Sequence, residues 1–331
     1  MTTTIVAARH GVAEVRDGAA GAYASLRIEG DSALWLQAPL ASGRVAGVAP
    51  DDPHALARRW AEQMQRGFVA ADAALLALWN GHGTLPTLTW GEAESPVLAS
   101  QTAAEGLYAI VDDVPRLLKV LDAGIRLVQL RIKTPGDADA AWFAGLARQM
   151  RDALAASRGA GATLVVNDHW RLAAELGADA VHLGQEDLGA LGHDGLAALA
   201  ASGLALGVSS HAVWELCRAR SLAPALIACG PVWPTTTKVM PWRPQGLDNL
   251  GWWCAHAGAP VVAIGGILEP DKVREAARAG ANTVCIVRGL GDEPRQTLPA
   301  FQASYDEGVA ERTAAPAWPH PSLDPSAEVT R

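Results

Sequence analysis

The sequence predicts an α/β protein whose middle part closes into a TIM (β/α)8 barrel, flanked by a small N-terminal α+β appendage and a disordered C-terminal tail. Three observations predict it. Short apolar runs recur eight times between about residues 105 and 305. Helical apolar periodicity fills most of the gaps between them. A helix-stopping glycine two residues before a strand recurs three times, at Gly124, Gly177 and Gly280.

The first zone, residues 1–104, reads as a hairpin followed by two helices. The hairpin pairs about Tyr23–Ile28 with Ala33–Leu36, turning at Gly30-Asp31. The helices are Pro53–Arg66 and Ala70–Leu78.

The second zone, residues 105–305, supplies the barrel. Its candidate strands are Leu107–Val111, Leu127–Arg131, Thr163–Asn167, Ala180–Leu183, Ala205–Val208, Ala225–Cys229, Val261–Ile264 and Thr283–Val287. Continuous apolar runs suit parallel strands buried on both faces. Between them, Asp137–Arg158 places Phe143, Leu146, Met150 and Leu154 on one helical face. Asp113 before Pro115 and Glu269 before Pro270 read as helix starts, because proline is tolerated in a first turn. The three glycines fit the left-handed position that ends a helix. A doubly wound sheet fits less well, since no G-x-G-x-x-G follows the first strand. The third zone, residues 306–331, is rich in Pro and Ala and lacks a periodic apolar face, the pattern of a disordered tail.

Composition excludes several function classes. The chain has 331 residues, half of them hydrophobic, and a net charge of −8. That balance argues against a nucleic-acid binder, which needs a basic surface. No apolar run approaches the roughly 20 residues that span a bilayer, so no membrane partner is expected. Met1–Arg16 lacks the pattern of a signal peptide. Cys217, Cys229, Cys254 and Cys285 are scattered and read as reduced core residues of a cytoplasmic protein. The sequence is compatible with a homo-oligomer.

A TIM barrel carries its active site at the C-terminal ends of its strands. Polar, reactive residues cluster there in nearly every unit. The second strand ends Gln129-Leu130-Arg131-Ile132-Lys133, and alternation points Gln129, Arg131 and Lys133 into the mouth. Cations aimed at one spot call for an anion. The third and fourth strands end at Asn167-Asp168 and at Gly184-Gln185-Glu186-Asp187. Asp168 and Asp187, one strand apart, suit Mg²⁺ bound to a diphosphate, since that ion takes hard oxygen ligands. Asp and Asn are also ordinary caps and turn residues.

Ser209-Ser210-His211 suits a phosphate at a helix start, or a plain N-cap. The loop Gly230–Lys238 holds three hydroxyls and a cation, including Thr235, Thr237 and Lys238, and reads as a lid over an anion. Gly265-Gly266, and Arg288-Gly289 after the last strand, stand where this fold binds phosphate, though tight turns also need glycine. No Ser-His-Asp or Cys-His triad is arguable.

The stretches LYAIVDD, VQLRIK, VVNDHWRLAAELGADAVHLGQEDL, LGVSSH, ACGPVWPTTTK and VVAIGGI, in this order over about 105–290, resemble thiamine-phosphate synthase. The resemblance implies a transferase joining 4-amino-2-methyl-5-hydroxymethylpyrimidine diphosphate to a thiazole phosphate, with release of pyrophosphate. It implies that Gln129, Arg131, Lys133 and Asn167 hold the pyrimidine diphosphate. Asp168 and Asp187 would ligate Mg²⁺. Ser209 and Lys238 would contact the diphosphate and help it leave, and Thr235, Thr237 and Gly266 would bind the thiazole phosphate. The implied mechanism is dissociative, so His182 and His211 are expected to be structural or pocket-lining. One departure is Arg288, where the family usually has Ser.

Two other readings share this barrel: a thiazole tautomerase, which lacks the metal and diphosphate residues, and a non-catalytic sensor of thiazole phosphate. Within the first zone, Gly67–Ala73 faintly resembles the last helices of hydroxymethylpyrimidine kinase, without that enzyme's nucleotide-binding body. A non-catalytic appendage used for packing or assembly is the expectation.

Overall fold

The computed structural model describes residues 3–6, 12–17, 23–29, 33–48, 52–98, 105–235 and 241–324. The appendage is larger than its sequence signals. Six antiparallel strands lie in chain order: β1 (Thr3–Val6), β2 (Val12–Asp17), β3 (Tyr23–Glu29), β4 (Ala33–Gln37), β5 (Ser42–Ala46) and β6 (Thr87–Leu88). The expected hairpin is β3 paired with β4, with Leu26 opposite Leu36; its Gly30-Asp31 turn lies outside the described residues. The two expected helices, α1 (Pro53–Gln65) and α2 (Ala70–Trp79), connect β5 to β6. Asp52 starts α1 by accepting a hydrogen bond from the Ala55 amide at 2.8 Å. Helix α2 is buried along nearly its whole length. Such all-round burial needs cover on both sides, and α2 packs against both the appendage sheet and the barrel.

The barrel is closed by eight parallel strands: β7 (Gly106–Val111), β8 (Leu127–Leu130), β9 (Thr163–Asn167), β10 (Ala180–Leu183), β11 (Ala205–Ser210), β12 (Leu226–Cys229), β13 (Val261–Ala263) and β14 (Thr283–Ile286). Each pairs with the next, and β14 returns to β7 with Ile286 beside Ala109. The alternating helices are α3 (Val114–Ala123), α4 (Ala140–Gly159), α5 (Trp170–Glu175), α6 (Gln185–Ala201), α7 (Val213–Ser221), α8 (Gly246–His256), α9 (Pro270–Arg278) and α10 (Pro294–Ala310). The predicted strands therefore stand within a residue or two of their expected bounds. Gly124, Gly177 and Gly280 all adopt positive φ where a helix gives way to a strand, as the repeat required. Asp113 accepts from the Arg116 amide at 2.6 Å and caps α3.

Two apolar clusters result. The smaller one, with Tyr108, Leu127, Val165, Ala205, Ala228, Val262 and Cys285, comes from alternate strand positions and fills the barrel. The larger surrounds it and includes the appendage. One detail of α4 differs from expectation: Phe143 is 45% exposed, and Leu146, Met150 and Leu154 carry the buried face.

The third zone is corrected. The run expected to be disordered from Asp306 is helical to Ala310 and then follows the surface to Asp324, anchored at a few buried points such as Ser322 and Leu323; residues 325–331 lie outside the described part. Composition misleads here because anchoring side chains replace a periodic face. Trp318 packs edge-on against Trp79 at 5.1 Å. The His320 amide donates to Asn249 Oδ1 at 2.8 Å, and Asn249 Nδ2 donates back to the His320 carbonyl at 3.0 Å. Leu323 is buried.

The appendage also completes a barrel helix. The residue preceding α7 is Ala212, which has no side-chain acceptor for the orphan amides of a first turn. The buried carboxylate of Asp72, from α2, accepts the Trp214 amide at 2.7 Å instead. A carboxylate there also faces the positive end of the helix dipole. Asp72→Ala should lower the stability of the full chain by about 1–3 kcal/mol, because the Trp214 amide is left buried without its acceptor. Urea denaturation checks this, with Asp72→Asn falling between wild type and alanine. An unchanged midpoint would remove the trans cap.

Candidate active site

The C-terminal ends of the barrel strands open into a cavity of about 630 Å³. Gln129, Arg131, Lys133, Asn167, Asp168, Asp187, Ser209, Thr235, Gly266 and Arg288 all line it. Of the predicted site residues, Thr237 and Lys238 lie outside the described residues.

From the floor upward, Gln129 is buried and donates through Nε2 to the Tyr108 hydroxyl at 2.7 Å. Full burial pushes the Tyr108 phenol well up from its ordinary value, so it stays neutral and fixes the Gln129 amide. Beside it, Asn167 is 5% exposed and its Nδ2 has no hydrogen-bond partner. A buried unpaired donor on a cavity wall is unfavourable unless a ligand supplies an acceptor.

At the mouth, Lys133 Nζ meets Asp168 Oδ2 at 2.6 Å. Asp168 follows β9 with φ of 63°. That left-handed conformation is uncommon for a residue with a Cβ, though Asp tolerates it better than most. It ends the strand abruptly, and the Asp168 amide still reaches the His182 carbonyl at 3.1 Å. Asp187 sits in the first turn of α6, where Oδ2 accepts the Gly184 amide at 2.9 Å. Arg131 precedes both acids in sequence, lines the same cavity and makes no ion pair among the described residues. Its backbone amide donates a hydrogen bond to the Val111 carbonyl at 2.8 Å.

His182 connects floor and rim. Its Nε2 lies 2.9 Å from Ser209 Oγ. Burial, opposed by Asp168 and helped by Arg131, His211 and Lys133, holds its pKa down at about 4. The imidazole is therefore neutral near pH 7 and orients Ser209 rather than adding charge. Gly207 is required beneath it: an added Cβ would stand 2.8 Å from both His182 Nδ1 and Leu226 Cδ1.

Gly266 has φ of 73°, and a Cβ there would stand 2.6 Å from Trp233 Cβ. The Gly-Gly pair thus lets the loop after β13 lie against the loop after β12. Arg288 is exposed at the rim.

Sequence reasoning missed a second network. Glu215 of α7 is buried, and its Oε2 accepts from the His211 amide at 2.7 Å and pairs with His211 Nδ1 at 2.9 Å. Trp242 stacks on the His211 ring at 5.3 Å and 9°. Gln245 Nε2 donates to the His211 carbonyl at 2.7 Å. These contacts tie the far side of the β12–α8 loop to α7. The only sequence signal was the i,i+4 spacing of His211 and Glu215.

Among the described residues, no three His, Cys, Asp or Glu side chains gather into a preformed metal cage. Asp168 and Asp187 instead stand as two carboxylates at a cationic mouth, oxygen donors that could hold a hard divalent cation together with phosphate oxygens. A model of the family described as thiamine monophosphate synthase matches residues 107–290, the span that builds this cavity. The chain belongs to the thiamine monophosphate synthase family.

Relatives agree with that placement in the family. A thiamine-phosphate synthase of Neisseria meningitidis serogroup A is 43% identical over 203 residues, covering 60% of this chain and 94% of the relative. One from Escherichia coli O6:H1 is 45% identical over 207 residues, covering 62% and 93%. Among solved structures, thiamine phosphate pyrophosphorylase from Pyrococcus furiosus superposes with a TM-score of 0.52 at 25% identity, covering 62% of this chain and 96% of that one. Nearly whole relatives thus match about three fifths of this family member, so the chain carries substantial sequence beyond what these relatives align with.

Proposed function

We infer that this chain is a thiamine-phosphate synthase, condensing 4-amino-2-methyl-5-hydroxymethylpyrimidine diphosphate with 4-methyl-5-(2-phosphoethyl)thiazole to give thiamine phosphate and pyrophosphate. The observation that carries the reading is convergence: residues from separate strand ends, two acids and two cations among them, share one cavity.

Gln129, held by Tyr108, and the unpaired Nδ2 of Asn167 would receive the pyrimidine. Arg131, Lys133, Ser209 and Lys238 would receive the diphosphate. Thr235, Thr237 and Gly266 would face the thiazole phosphate, with Arg288 a further cation at the rim. Asp168 and Asp187 fit Mg²⁺, which when bound neutralises charge on the departing pyrophosphate.

The chemistry then divides simply. The carbon–oxygen bond to the diphosphate breaks, and its electron pair leaves with pyrophosphate. The pyrimidine-methyl cation is captured by the lone pair of the thiazole nitrogen. The chain's own work is positioning both partners and placing preorganised positive charge where negative charge develops. No proton transfer is needed, in keeping with a neutral His182.

A cytoplasmic setting suits the free cysteines Cys217, Cys229, Cys254 and Cys285. No helix among the described residues is long and apolar enough to cross a membrane.

Mixing both substrates with the full chain and Mg²⁺ should give thiamine phosphate and pyrophosphate in equal amounts. A tautomerase or a sensor would bind thiazole phosphate and release no pyrophosphate, and that outcome would overturn the reading.

A further inference from the structure

The cavity is not lined by the barrel alone. Trp90, from the appendage, lines it together with Gly189 of α6 and Arg218 of α7. Its presentation is rigid. The Thr89 amide donates to the Arg44 carbonyl at 3.0 Å, and Thr89 Oγ1 accepts the Arg44 amide at 2.9 Å. Gly43 allows this approach, since a Cβ there would stand 2.4 Å from the Thr89 carbonyl oxygen. Trp90 therefore leaves the edge of β5 from a fixed point. Its ring is then held by Arg218, whose guanidinium lies 5.0 Å from the Trp90 ring centre and 5.1 Å from that of Trp214. Arg218 Nη2 in turn donates to the Ser42 carbonyl of the appendage at 3.1 Å.

What Trp90 touches gives it a role. The position of a Cβ on Gly189 lies 3.7 Å from Trp90 Cζ3, ordinary contact distance, so the indole edge covers α6 there. Helix α6 is broken by Gly192, with φ of 62° and ψ of −172°. The segment before the break, Gln185–Leu191, is under two turns long and contains a glycine. A helix that short has little stability of its own. It also carries Asp187, one of the two carboxylates assigned to Mg²⁺.

We propose that Trp90 is a positioning residue for Asp187, so that the appendage is a working part of the active site through its contact with the first segment of α6. This rests on the synthase reading and on Asp187 as a ligand. It goes beyond that reading in giving the first hundred residues a part in the chemistry. Removing the indole frees the segment, and the carboxylate then spends less time where metal and diphosphate meet.

The test uses the full chain. In Trp90→Ala, Mn²⁺ binding in the presence of inorganic pyrophosphate, followed by electron paramagnetic resonance, should weaken about 10-fold, the lower end of losses on removing support behind a metal ligand. The Mg²⁺ concentration for half-maximal activity should rise by the same factor, while the KM for thiazole phosphate stays within about twofold of wild type, as expected when only that support is lost. Trp90→Phe keeps a ring over Gly189 and should recover most of both losses. Wild-type Mn²⁺ affinity in the alanine variant would overturn the proposal. So would equal losses in Mn²⁺ and thiazole-phosphate binding, which would mark general loosening, or a phenylalanine variant no better than alanine. If wild type forms thiamine phosphate and these results appear, the proposal alone fails; if wild type forms none, the synthase reading fails first.

Discussion

Arg131→Ala should lower kcat/KM for thiamine phosphate formation by roughly 10²–10³-fold, the usual loss when one preorganised charge-stabilising donor is removed. The expectation follows from how Arg131 is held. It continues the inward-facing row of β8 past Gln129, and its amide extends the barrel ladder to Val111. Its side chain lines the cavity and makes no ion pair among the described residues. Lys133 differs, because Asp168 already offsets part of its charge at 2.6 Å. Arg131 therefore offers more uncompensated positive charge to a leaving pyrophosphate. Most of the loss should fall on kcat, since charge on the leaving group grows towards the transition state. Arg131→Lys should recover part of the rate, keeping the charge but losing the bidentate fork. Steady-state kinetics and far-ultraviolet circular dichroism on the same preparations check both points. Unchanged turnover in the alanine variant would take Arg131 out of the site.

The barrel was legible because its signals are local. The strands are short, largely apolar runs, and several helices stop at a glycine of positive φ, as at Gly124, Gly177 and Gly280. Candidate site residues were legible for a related reason. Once strand ends are known, alternation decides which side chains face the mouth, and Gln129, Arg131 and Lys133 follow directly. What escaped depends on partners far away in sequence. Strands β5 and β6 are short and weakly apolar, and they pair Val45 with Leu88 across two intervening helices. Trp90 becomes informative only once β6 is placed. The tail escaped because composition measures what a segment can bury by itself, whereas Trp318 and His320 dock onto surfaces made by Trp79 and Asn249. Tyr108 and Glu215 act by orienting Gln129 and His211, a role that leaves no motif.

The second large effect is expected at Asp168, and there the choice of replacement separates chemistry from folding. Asp168→Ala removes a carboxylate, leaves Lys133 without its partner and forces alanine into a left-handed conformation. The backbone change alone costs about 1–2 kcal/mol, so lost activity in this variant would mix two causes. Asp168→Asn is the cleaner probe, because Asn also tolerates positive φ and keeps the side-chain shape. It should melt like wild type yet lose at least about 10³-fold in kcat, since a metal that stabilises departing charge contributes several kcal/mol. Raising Mg²⁺ should return part of the activity to the asparagine variant, whose amide oxygen is still a hard ligand, and none to alanine. Should asparagine turn over normally, Asp168 would be no more than a strand terminator paired with Lys133, and the carboxylate pair would cease to define where the diphosphate sits.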